Sequence, residues 1–350
     1  MSREMRHMQV LWDLWAKDVV WPSEATLALR PHRAVVQGAM FARNVWAIMR
    51  TLLYFPHISV SFLEAPAAIT REPIPLHITT PAPDALLLPL SHGRRIALVV
   101  PSFPKNITPI SDMVWMPQDR LVVGREHGLD DASVAACDCF ASIPQYGRVG
   151  SLNMVCALAI GAHAMTVKGP RRTTASLGLD ISLLCCHAHG DPSLGPIVRN
   201  ANAFGVRVVF VVGPRRRYNR RGTMGGHRDT VVSHVDGVGD VDGGDMVWWA
   251  LEACHPVLHP IDVPIPLDLY NRLPRINLDD REGVRRSMPS SGVMLCVAEE
   301  GHYLDPAVLA RCTALVCVRG PPDTKHYSPY SRGLGPVLAT AIVLHAMREA

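Results

Sequence analysis

"IPQYGRVGSLNMVCALAIGAHAM", residues 143–165, decides the fold. An apolar run closes at Ile143-Pro144, a loop with Gly147 and Gly150 follows, and an almost wholly apolar helix opens behind Ser151-Leu152-Asn153. A helix that is apolar all round must be buried all round. Ser151 is the expected cap of its first turn, which leaves Asn153, Gly147 and Gly150 unexplained by capping alone. The stretch also has a second copy: "GSLNMVCALAIGAHAM" (150–165) runs in step with "RGLGPVLATAIVLHAM" (332–347).

Two more blocks recur in the same order. "RAVVQGAMFARNVWAIMRT" from Arg33 and "SLLCCHAHGDPSLGPIVRN" from Ser182 each read as strand, turn and helix. Without a gap Asn44 falls on Ser193, Trp46 on Gly195, Ile48 on Ile197, Arg50 on Arg199 and Phe55 on Phe204, with a further apolar strand behind each. Then "LVVGREHGLDDASVAACDCFASIP" (121–144) matches "CVAEEGHYLDPAVLARCTALVCVR" (296–319) from Leu129 and Leu304 onward. Three ordered blocks predict a tandem duplication of an α/β unit, each half with a mainly parallel sheet.

The expected organisation is an N-terminal helical extension over residues 1–30, a first domain over 31–169 and a second over 170–350, joined near "KGPRRTTASLG" (168–178). Met8, Leu11, Trp12, Trp15 and Val19 give the extension its helical spacing. Glu4, Asp13 and Asp18 speak against an organellar leader, and import by an uncleaved one stays open.

With 48% hydrophobic and 19% charged residues the chain reads as globular. Its longest apolar stretch, Leu152 to Met165, is too short for a bilayer, so a soluble protein without a membrane partner is expected. The net charge of +4 is almost all arginine, the lysines being Lys17, Lys105, Lys168 and Lys325. Phosphate recognition and a compositional bias of the genome both account for that. Nine cysteines without a CxxC pair argue against a zinc ribbon or a thioredoxin-type site and read as core thiols of a reducing compartment. Cys186-His187-Ala188-His189 reads as a buried strand edge before a metal site.

In a parallel α/β sheet ligands sit beyond the carboxyl ends of the strands. Two loops fit, "GREHGL" (124–129) and the one that opens this section. Neither is a Walker A or a GxGxxG, which excludes a nucleotide triphosphatase and a dinucleotide oxidoreductase.

These stretches resemble the motifs of the SpoU/TrmH branch of the SPOUT RNA methyltransferases. "NVWAIMRT" (44–51) is similar to N-x-G-x-I-x-R-T, with Trp46 at the glycine. "GREHGL" is similar to a one-residue-shorter G-N-E-G-x-G-L, and "IPQYGRVGSLNM" follows I-P-M-x-G-x-x-x-S-L-N-V nearly throughout. The resemblance covers residues 31–168 and again 180–350. It implies two α/β-knot domains packed as an intramolecular pseudo-dimer, S-adenosylmethionine as cofactor, and methylation of a ribose 2′-hydroxyl on structured RNA, rRNA before tRNA.

By that resemblance Val123, Gly124, Gly128, Ile143, Gly147 and Leu152 frame the cofactor. Asn44, Arg50, Glu126, Ser151 and Asn153 form the catalytic set, with Asn44 and Arg50 toward the ribose. The reaction needs the methyl aligned with the hydroxyl oxygen and negative charge stabilised there. Arg50 stays protonated and suits orientation and charge stabilisation before base work.

The second copy departs from the pattern. Gly333-Leu334-Gly335-Pro336 replaces the Ser-Leu-Asn motif, Val318-Arg319 replaces Ile-Pro, and Ser193 replaces Asn44, while Gly195, Arg199, Glu300 and Gly301 remain. At most one competent site is expected, in the first half, completed by Arg50 or Arg199. The alternative is a catalytically inactive relative that binds RNA, rRNA or a pre-ribosomal particle, in ribosome or mitoribosome assembly beside protein partners, in the mitochondrial matrix or the cytoplasm. "GPRRRYNRRG" (213–222) is the expected RNA contact: Arg215, Arg216, Arg217, Arg220 and Arg221 for phosphates, Tyr218 to stack on a base, with Arg199 in support. "KGPRR" (168–172) extends this patch, and "DGVGDVDGGD" (236–245) reads as a flexible acidic loop without EF-hand spacing.

Overall fold

The computed structural model describes residues 32–39, 41–55, 57–63, 93–104, 106–148, 151–167, 179–186, 193–213, 222–251, 266–299, 302–318 and 334–350. The expected N-terminal helix, the basic run Arg215–Arg221, "KGPRR" and Glu300-Gly301 lie outside them. The described residues fall into two compact units. The N-terminal unit holds those up to Pro144 and 151–167; the C-terminal unit holds 145–148 and those from 179 on.

The N-terminal unit alternates strand and helix as its sequence predicts. Its strands are β1 (His32–Val36), β2 (Ile58–Phe62), β3 (Arg95–Val99), β4 (Thr108–Pro109), β5 (Arg120–Val123) and β6 (Cys139–Ser142), all parallel, in the order β2-β1-β5-β3-β6-β4. Helix α1 (Ala42–Tyr54) joins β1 to β2, α2 (Asp131–Ala135) joins β5 to β6, and α3 (Met154–Ala164) follows β6. In α1, Val45, Ile48 and Met49 are buried at the i, i+3, i+4 spacing of one helical face. That helix packs on α3, which rides so low on the sheet that a Cβ on Gly161 would stand 2.4 Å from Leu121 Cδ2. Leu121, Ala34 and Ile96 therefore form the row beneath α3. The alternation of strand side chains sends Arg33, Val35, Arg120, Val122, Arg95 and Ala97 to the other face. There Val35 and Val122 pack with Leu63, Leu129 and Cys137.

The C-terminal unit has strands β7 (Ile181–Cys186), β8 (Val208–Val212), β9 (Val231–Val235), β10 (Val247–Leu251), β11 (Arg275–Asn277), β12 (Val293–Ala298) and β13 (Cys312–Cys317). They too are parallel and read β9-β8-β7-β12-β10-β13-β11 from one edge. With β9 set aside, this is the N-terminal order strand for strand. The helices are α4 (Leu194–Ala203), α5 (Leu267–Arg272), α6 (Arg281–Ser287), α7 (Pro306–Leu309) and α8 (Pro336–Glu349). Of these, α4, α7 and α8 hold the places of α1, α2 and α3.

Local details repeat as well. Phe55 is the C-cap of α1 and Phe204 the C-cap of α4. Each meets a buried histidine of the last helix of its unit edge-on, His163 at 6.5 Å and His345 at 6.2 Å between ring centroids. Full burial of either phenylalanine contributes roughly 1.5–3 kcal/mol.

The segment 236–245, expected to be a flexible acidic loop, carries a 3₁₀ turn at Val238–Asp240. It is closed by Asp240 Oδ2, which accepts from Gly237 N–H at 3.0 Å, and held by Arg311, which donates to Val238 O at 3.0 Å. Among the described residues no helix is long and apolar enough to cross a membrane.

Candidate active site

At the carboxyl end of β1 the ladder runs one residue past the strand, Gln37 N–H donating to Val123 O at 2.9 Å. Gln37 is buried, and its carboxamide is used twice: Oε1 accepts from Asp130 N–H at 3.1 Å and Nε2 donates to Asp130 Oδ2. The other Asp130 oxygen caps α2, accepting from Ser133 N–H at 2.8 Å. The Ser133 backbone N–H above all, with the Ser133 hydroxyl, Gln37 and Arg125, holds the Asp130 carboxyl below the usual range against the opposing effect of burial.

Between Val123 and Asp130 lies the second motif, Gly124 to Leu129. It is a tight turn: Gly128 N–H donates to Arg125 O at 2.9 Å, and a Cβ on Gly124 would stand 2.3 Å from Gly128 C. Gly128 has φ +94 with nothing within 4 Å of where its Cβ would lie, so its outer side is open backbone. From this turn Glu126 Oε1 accepts a 2.6 Å hydrogen bond from Asn44 Nδ2, and Asn44 is 3% exposed in the first turn of α1. The first and second motifs thus meet through this side-chain pair. Arg50 lies six residues beyond Asn44 on α1, on a direction about 120° away around the helix axis, and is half-buried.

Ile143 is buried behind β6, and Ser151, Leu152 and Asn153 are half-buried ahead of α3. Here the expectation for Ser151 is corrected. The N-cap is Asn153, whose Oδ1 accepts from Val155 N–H at 3.4 Å, while Ser151 precedes the helix. Serine and asparagine cap about equally well, and in a run holding both only the point where helical geometry begins decides. With Oδ1 so used, the Nδ2 group of Asn153 has no acceptor among the described residues.

Gly147 belongs to the C-terminal unit. Its N–H donates to Ala203 O at 3.3 Å, and a Cβ there would stand 1.7 Å from Asn202 O, so contact with the end of α4 excludes a side chain. Beside it Tyr146 stacks under Arg348 at 5.5 Å, and burial, then Glu349, push its phenol up to about 12. Arg199, on α4, is 9% exposed, with Gly226 of a 3₁₀ turn close over its Cα. The Trp46 side chain lies outside the described residues.

In the C-terminal unit the corresponding positions carry different chemistry. Cys186 stands where Gln37 does and faces Asp305, the N-cap of α7; burial first, then that carboxylate, push its thiol up to about 12. Ser193 stands at Asn44. Tyr303 takes the place of Gly128 and packs edge-on against Tyr270, whose hydroxyl accepts from Leu304 N–H at 2.9 Å. Both tyrosines are buried in a cluster with Leu184, Cys186, Trp248 and Cys296.

Gln37 and Asp130 are the site residues that motif reading passes over. Asp130 stands out only as the repeat partner of Asp305. Gln37 gives one signal, a lone carboxamide closing an apolar strand.

No protein-family model and no curated protein matches the sequence. Solved structures do resemble the fold. A probable methylase family protein from Haemophilus influenzae aligns at 16% identity over 48% of this chain and 64% of its own length, with a TM-score of 0.36. The TrmH/SpoU tRNA modifying enzyme of A. aeolicus aligns at 18% over 50% of this chain and 77% of its own, TM-score 0.35. The SpoU methyltransferase AviRb of Streptomyces viridochromogenes, crystallised with AdoMet, aligns at 14% over 63% and 78%, TM-score 0.35. Each overlap is partial and distant.

Proposed function

We propose that this chain is an S-adenosylmethionine-dependent RNA ribose 2′-O-methyltransferase of the SpoU/TrmH type, with its catalytic unit at the N-terminus and a diverged, non-catalytic copy behind it. The observation that carries this reading is the 2.6 Å bond between Asn44 and Glu126, which joins two motifs 82 residues apart at the carboxyl end of the sheet. The shared strand order of the two sheets supports duplication, and the tyrosine-filled end of the C-terminal unit supports a single competent site.

The residues present fit the cofactor. Val123, Gly124, Gly128, Ile143 and Leu152 offer open glycine backbone at Gly128 and buried apolar walls at Val123 and Ile143, which suits an adenosyl group. When bound, S-adenosylmethionine supplies an electrophilic sulfonium methyl. Glu126 is oriented by Asn44 so that its carboxylate faces one way, and the free Nδ2 hydrogens of Asn153 with the Ser151 hydroxyl orient polar groups at the mouth of α3. Arg50 stabilises the negative charge that develops on the attacking ribose oxygen. Ribosomal RNA is the first substrate to test.

Calorimetric titration with S-adenosylmethionine, followed by transfer of labelled methyl to RNA, tests this. Binding is expected in the wild type, weakened in Asn153→Ala and retained in Gly335→Ala, the matching cap of α8. Folded protein that gives no binding heat would refute the enzyme reading.

A further inference from the structure

At the amino-terminal end of the N-terminal sheet, opposite the site above, three arginines lie abreast. Arg33 on β1 is in register with Arg120 on β5, and Arg120 with Arg95 on β3. Registered residues of parallel strands project from one face about 4.8 Å apart, so the row spans roughly 10 Å. Arg95 is neutralised: Nε and Nη2 each donate to Asp138 at 3.0 Å. The nearby Asp119 carboxylate is already taken by Arg94, through its backbone N–H, Nε and Nη2, and by Met116 N–H. Arg33 and Arg120 have no carboxylate partner among the described residues.

Like charges side by side on a sheet are destabilising. Burial first, then Arg33 and Arg95, hold the Arg120 guanidinium below its usual range. Nor does the fold demand arginine here. In the C-terminal sheet the same register holds Ser182, Met294 and Trp248, all buried. Two neighbouring cations, Arg33 and Arg120, without a carboxylate partner among the described residues and not required by the architecture are suited to an anion.

We propose that Arg33 and Arg120, flanked by the Asp138-paired Arg95, form a phosphate-binding row that holds an RNA backbone at the amino end of the N-terminal sheet, a second contact apart from the Asn44–Glu126 site. The choice of RNA rests on the function proposed above. Two guanidinium forks about 4.8 Å apart suit the oxygens of a phosphate backbone.

The test titrates the full chain with labelled single-stranded RNA across a salt series. In the double variant R33Q/R120Q the affinity falls about tenfold or more and the log–log salt slope becomes shallower by about 1.4, two contacts at about 0.7 each. Its melting temperature is unchanged or higher, S-adenosylmethionine binding is unchanged, and R33K/R120K keeps most of the RNA affinity.

RNA affinity and slope unchanged in R33Q/R120Q would overturn the row and leave the proposed methyltransferase standing. A double variant that fails to fold would make the arginines structural, which also overturns it. Two ligand outcomes do the same: charge-matched poly-glutamate losing its binding in the variant while RNA keeps it, or inorganic phosphate binding as tightly as RNA. Wild-type protein that binds S-adenosylmethionine but no RNA would overturn both the row and the proposed substrate.

Discussion

The two sheets follow one strand order, yet the same face is finished differently in each. In the C-terminal unit Trp248, Met294, Leu184 and Cys296 lie under Tyr270 of α5 and Val308 and Leu309 of α7. In the N-terminal unit the matching residues are Arg95, Arg120, Val35 and Val122, of which only the two valines join a small apolar cluster. The connections account for the difference. Residues 252–274 join β10 to β11 and carry α5, whereas the described residues of 100–107, which join β3 to β4, contain no helix. A strand position becomes core or surface according to what the loops lay over it, so a duplicated sheet can keep its register while one copy turns a polar face into packing.

The largest effect expected from this contrast is on stability. Trp248→Ala opens a core cavity and should cost about 3–5 kcal/mol in denaturant unfolding. Its counterpart Arg95→Ala removes a partly buried ion pair with Asp138 and should cost about 1–2 kcal/mol. Equal losses would mean that the two faces are buried alike and would break the comparison.

Next is Asn44→Ala, which frees Glu126 and should lower methyl transfer about 100-fold, roughly 2.7 kcal/mol. Ser193→Ala, at the matching place, should leave transfer within about twofold. A fall with Ser193→Ala as large as that with Asn44→Ala would put both units in the reaction.

Tyr270→Phe sharpens the picture of the filled C-terminal end. It strips the acceptor from Leu304 N–H inside the core and should cost about 1–3 kcal/mol by thermal unfolding, with S-adenosylmethionine affinity unchanged.

The smallest effect is a change of pH profile. The Asp130 pKa is lowered in the folded chain, so its contribution is present above the ordinary carboxylate range and is lost as pH falls through the folded value. Asparagine can keep the helix cap through its one oxygen but sets its amide against the Gln37 Nε2 donor, so Asp130→Asn should lower stability at pH 7 by about 1 kcal/mol and flatten the fall below about pH 4. An unaltered acid limb would show that Asp130 does not titrate this way.

The strand–helix alternation was legible in the sequence because β1, β2, β5, β7, β8, β12 and β13 are apolar runs bounded by turns or helices that recur at fixed offsets. β3 and β10 escaped because "RIALV" and "VWWAL" answer different coverings and share almost no residue type. β9 escaped because it has no counterpart. Asn44 and Glu126 were visible as separate motif letters, but no sequence pattern tells that they touch. The arginine row was invisible for a similar reason. Positions 33, 95 and 120 become neighbours only through sheet order, and no local window contains two of them.

Gly147 carries a consequence for engineering. A saturation library at that codon should return glycine almost alone, selected by folding yield before any assay of activity, because the smallest side chain would collide with the carbonyl at the end of α4. A loop rich in glycine can owe one of them to a neighbouring helix and another to whatever it binds.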